Sequence, residues 1–144
     1  MAHVRSAILC DFAQIREGLL FISSGGITRI ATPNPTSPIA FHFGGHIEVP
    51  AIEHGNTLEV SFKVTSADTA RDLWHATMVI TTAADTSSLF PGESTHLPFA
   101  LAVGPFVPEV LGPHDLKVKI DNQESELLTF YILQVTNPEN FGES

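Results

Sequence analysis

The stretch TLEVSFKVTS, residues 57–66, places Leu58, Val60, Phe62 and Val64 at every second position, with Glu59, Ser61, Lys63 and Thr65 between them. A two-residue period spreads apolar groups all around a helix but gathers them on one face of a strand. This segment is therefore a strand with one side in a core and one side in water. Much of the chain repeats the pattern. In IAFHFGGHIEV (39–49), Ile39, Phe41 and Phe43 point inward with His42 between them, and Gly44-Gly45 predicts a bulge or sharp bend. Leu116, Val118 and Ile120 alternate with Lys117 and Lys119, DNQES turns, and ELLTFYILQV returns as a second hairpin.

The first 31 residues read as three strands. In VRSAILCDFA (4–13), Ile8, Cys10 and Phe12 share one face, and Leu9, Asp11 and Ala13 the other. LLFIS and ITRIA flank Ser24-Gly25-Gly26, and glycine supplies the positive φ of a tight turn, so residues 19–31 are expected to form a hairpin. TPNPTSP (32–38) has three prolines in seven residues and reads as a crossover. LWHATMVITTA (73–83) is a further strand, and Pro105 and Pro108 are expected to break the segment after THLPFALAV (95–103). No stretch carries a sustained helical stripe. The expectation is all-β: a single-domain, immunoglobulin-like β-sandwich of about eight short strands, or a partly closed barrel, over residues 1–136, with 137–144 as a flexible C-terminal tail.

Composition narrows the function. A chain of 144 residues with 43% apolar content and ten phenylalanines can fill one core, and only 16% is charged. Seven Lys+Arg against sixteen Asp+Glu give a net charge of −9 with no basic cluster, which disfavours nucleic acid and anionic membrane surfaces as partners. One cysteine, no zinc-type Cys/His spacing and no long apolar run suggest a cytoplasmic protein without a cofactor.

CDFAQIREGLLFISSGGITRI, the alternating HGNTLEVSFKV and the closing GPHDLKVKIDNQESELLTFYILQV resemble a family of short, uncharacterised bacterial proteins. Its members open with an Asp-x-Ala motif and a hairpin carrying Gly-Gly-x-Thr-Arg. The resemblance implies a β-sandwich and no assigned activity.

Candidate sites are few. His42, His46 and Glu48 are the candidate metal ligands, and they could converge only if the glycine pair folded the strand. HFGG (42–45) faintly matches an esterase oxyanion loop, but no Gly-x-Ser-x-Gly elbow accompanies it. Asp68, Asp72, Asp85, Asp121, Glu124 and Glu126 lie in turns where carboxylates could bind calcium, without a dense Asp-x-Asp cluster. Mid-strand Cys10 reads as core. Asp11 and Arg29 sit in apolar segments, where each needs a partner, so they are expected to form a salt bridge or a recognition pair. The proline-rich, nearly uncharged segment 89–110 brings Phe90, Phe99 and Phe106 forward as interaction residues. These features favour a non-catalytic module that binds a protein partner or another copy of itself. The alternative is a small-ligand or Ca/Zn-binding module.

Overall fold

A computed structural model describes residues 1–82 and 87–135. Ten strands are formed among them: β1 (His3–Cys10), β2 (Phe12–Arg16), β3 (Leu19–Ser23), β4 (Arg29–Thr32), β5 (Ile39–Val49), β6 (Thr57–Ser66), β7 (Asp72–Thr81), β8 (Thr95–Phe106), β9 (Gly112–Ile120) and β10 (Gln123–Gln134). They assemble into a three-stranded sheet, β1-β5-β8, a five-stranded sheet, β4-β10-β9-β6-β7, and the separate ribbon β2-β3. Every pairing is antiparallel except β4 with β10. The fold is all-β and sandwich-like, with more strands than the eight expected.

Alternation builds the core. Leu58, Val60, Phe62 and Val64 of β6 and Leu116, Val118 and Ile120 of β9 are buried, as their period requires. They meet Phe41, Phe43, Ile47 and Val49 of β5 and Phe99 and Val103 of β8 from the opposite sheet. Edge-to-face rings tie the layers together: Phe43 lies 5.0 Å from Phe62 and Phe41 lies 5.3 Å from Phe130, while Phe43 also meets Phe99 of its own sheet at 5.7 Å.

Several local expectations are corrected. Residues 19–31 do not form a hairpin. β3 pairs back with β2 through a two-residue turn at Glu17-Gly18, both at positive φ, whereas β4 crosses to the other sheet beside β10. Gly26 and Ile27 donate their backbone N–H groups to the Leu9 carbonyl, which anchors that crossing. Gly44 and Gly45 make no bend: β5 runs through them in regular register with β1 and β8. Pro105 does not break β8, which holds Pro98 and Pro105 on a sheet edge where a missing N–H is tolerated. The second hairpin forms as expected, with its turn confined to Asp121-Asn122. The expected flexible tail at 137–144 lies outside the described residues.

Candidate functional site

The ribbon β2-β3 lies over the outer face of the three-stranded sheet. Its inward face carries Ala13, Leu20 and Ile22. A Cβ on Gly44 would stand 3.0 Å from Leu20 Cδ1 and 3.4 Å from Ala13 Cβ, so the missing side chain is what lets the ribbon seat closely. Cross-strand register puts Phe12, Gln14, Arg16, Leu19, Phe21 and Ser23 on the opposite, outward face. There Phe12 is 46% exposed, Leu19 62% and Phe21 47%. The Arg16 guanidinium lies 5.9 Å from the Phe21 ring centre, and Phe12 packs at 5.1 Å on His42. Ile15 adds exposed apolar surface at the rim. The outcome is a ribbon packed against the sheet on one face and, on the open face, bearing Phe12, Leu19 and Phe21 among Gln14, Arg16 and Ser23. The sequence carried its signal, since Phe12, Leu19 and Phe21 alternate with Ala13, Leu20 and Ile22, but the wrong hairpin assignment concealed it.

Asp11 and Arg29 are both exposed, and no ion pair joins them among the described residues. Solvent replaces the partner that each would need if buried. Phe90 is 81% exposed and lines a shallow depression with Ala51 and His54 of the β5–β6 connection, next to the 89%-exposed Ile52. Phe99 and Phe106 belong to the core and are corrected as interaction residues: their alternation points them at the opposite sheet.

His42, His46 and Glu48 share the outer face of β5 but do not converge. His42 faces Phe12, and His46 Nδ1 lies 3.3 Å from Ser6 Oγ. Glu48 accepts from His3 Nε2 at 3.0 Å, His96 Nε2 at 3.2 Å and Arg5 Nη1 at 3.3 Å. His3 and His96 stand opposite Glu48 on the strands to either side, so the carboxylate separates the imidazoles, and Arg5 opposes a further cation. No group of three or more His, Cys, Asp or Glu among the described residues is placed to hold a metal ion. The partners of Glu48 come from distant strands, and only the β1-β5-β8 order reveals them.

All three lysines of the chain project from the outer face of the large sheet. Lys63 stands opposite Lys117, and Lys119 opposite Ser61. Lys63 Nζ bonds Glu124 at 3.0 Å and approaches Asp72 at 3.9 Å. The hydrogen bond from Lys63 is the main cause holding the Glu124 carboxyl below its ordinary range, with the charges of Lys63, Lys117 and Lys119 adding to it. The same bond raises Lys63. Asp72 and Glu124 thus balance lysines rather than offering an open calcium cage. Asp85 lies outside the described residues. Burial beneath the ribbon pushes the Cys10 thiol up.

No protein-family model matches the chain, and no curated protein matches it. What defines its class is the architecture: an all-β sandwich-like domain bearing an apolar ribbon on one outer face. Among the described residues, no helix is long and apolar enough to cross a membrane.

Proposed function

We propose that this protein is a non-catalytic binding module of immunoglobulin-like kind, and that the outward face of β2-β3 is where a protein partner docks. The carrying observation is the exposure of Phe12, Leu19 and Phe21 along one face of a ribbon whose other face is already packed. Large apolar groups clustered at the surface, with an arginine stacked among them, have the composition of an interface centre. Each is about half covered in the free protein, so completing its burial contributes about 1 kcal/mol. Three such residues shift a dissociation constant by roughly 100-fold. The net charge of −9 favours a protein partner over nucleic acid or an anionic membrane. A cytoplasmic setting and action without a cofactor belong to this proposal.

The test compares wild type with the Leu19→Ser/Phe21→Ser double variant in quantitative pull-downs from the source cells. The proposal expects a reproducible partner that the variant captures at least tenfold less, with an unchanged melting temperature. Equal capture by both proteins refutes it.

A further inference from the structure

Apart from the five-residue strands of the ribbon, the three- and five-stranded sheets end in four edges, and three of them are blunted. β4 is four residues long, β8 carries Pro98 and Pro105, and β1 has a register shift between Val4 and Ser6 with His3 and Arg5 engaged by Glu48. Prolines, bulges, charges and short length are the devices that stop edge strands from pairing indiscriminately. β7 has none of them along 73–81. Leu73-Trp74-His75-Ala76-Thr77-Met78-Val79-Ile80-Thr81 contains no proline and no Asp, Glu, Lys or Arg, and its pairing with β6 is regular from Trp74 to Thr81. Among the described residues, its other side bonds to no strand. Ten residues give an edge about 34 Å long.

We propose that β7 is a self-association edge, on which the β7 of a second copy adds antiparallel about a two-fold axis at Thr77. The proposal rests on the reading of the chain as a protein-binding module and adds a second surface, an occupant and a register. Self-complementarity argues for the second copy. In a strand pair, directly opposed residues share a face. Centring on Thr77 sets Thr77 against Thr77 and His75 against Val79 on the outer face. On the inner face it sets Trp74 against Ile80 and Ala76 against Met78. Each large inner residue meets a branched or small one, and no charge meets a like charge. The two Asp72 carboxylates fall at opposite ends, well beyond the screening length of about 8 Å at physiological salt. Trp74, Met78 and Ile80, half-buried in the single chain, gain cover. A lone edge-to-edge contact belongs to the small-interface class below about 1,200 Å², so the dimer is a weak one.

Sedimentation velocity with light scattering on the full chain, from about 1 µM to about 500 µM, brackets that class. The wild type should move from the monomer mass toward twice that mass. Thr77→Lys sets an ammonium against its own copy at the axis. Val79→Lys, at a 67%-exposed position, is the second variant should the first fail to fold. Both should remain monomeric with melting temperatures near wild type, and Phe21→Ser should dimerise as wild type does. A wild type monomeric across the range overturns the proposal, as does a dimer that the folded lysine variants keep. A dimer abolished by Phe21→Ser but kept by Thr77→Lys moves self-association to the ribbon and overturns it too. None of these masses depends on whether the ribbon captures a partner in a pull-down.

Discussion

Adding one methyl group at Gly45 should cost far more than adding it at Gly44. A Cβ on Gly45 would lie 1.9 Å from the Ser6 carbonyl oxygen and 2.9 Å from Phe99 Cζ. Ordinary contact begins near 3.4 Å, so β1 would have to retreat by about 1.5 Å. Hydrogen bonds of about 2.9 Å do not survive that retreat, so the ladder opens around Ala7 and Gly45. Overpacking costs about 1–3 kcal/mol, and each freed backbone bond about 1 kcal/mol more. The expected loss for Gly45→Ala is at least about 3 kcal/mol, out of a total stability of roughly 5–15 kcal/mol. At Gly44 the nearest atoms are the tip of Leu20 at 3.0 Å, which can swing aside, and the Phe99 carbonyl oxygen at 3.2 Å, which must give by only a few tenths of an ångström, so Gly44→Ala should cost about 1 kcal/mol. Urea denaturation followed by Trp74 fluorescence measures both. A Gly45→Ala midpoint within about 0.5 kcal/mol of wild type would refute the close approach of β1 and β5.

Phe43→Ala removes a ring that meets Phe62, Phe99 and Trp74, and should destabilise by about 3–5 kcal/mol in the same assay. Cys10 should resist a thiol reagent at pH 8 in the folded protein and react at once in denaturant; rapid labelling of the native chain would contradict its burial. The Lys63–Glu124 pair stabilises above the ordinary carboxylate range and fades as pH falls through the lowered Glu124 value; at the alkaline end it fades as pH rises through the raised Lys63 value. Both groups are largely solvated, so Glu124→Gln should cost less than about 1 kcal/mol near neutral pH, and a melting series should show the difference vanish in acid and in high salt.

The strands with one covered face were the legible ones: β6, β9 and the inward residues of β5 obey a strict period of two. Legibility failed where both faces are covered. Leu9 and Cys10 are adjacent and both buried, because the core takes one and the layer under the ribbon takes the other, so alternation there says nothing about orientation. The hairpin at 19–31 failed for a different reason. Ser24-Gly25-Gly26 and Glu17-Gly18 both offer turns, and only the pairing of β4 with β10, about a hundred residues away, decides between them. The Glu48 cluster likewise draws its residues from three strands, His3 and Arg5 from β1, Glu48 from β5 and His96 from β8, and leaves no local motif.

Photo-cross-linking addresses the binding role of the ribbon most directly. A benzoylphenylalanine at position 21, carried by the full chain in its source cells, should give one dominant covalent adduct with another protein. The same probe at exposed Thr36, in the β4–β5 crossover, should give none. Equal labelling from both positions, or no adduct from position 21, would contradict the account.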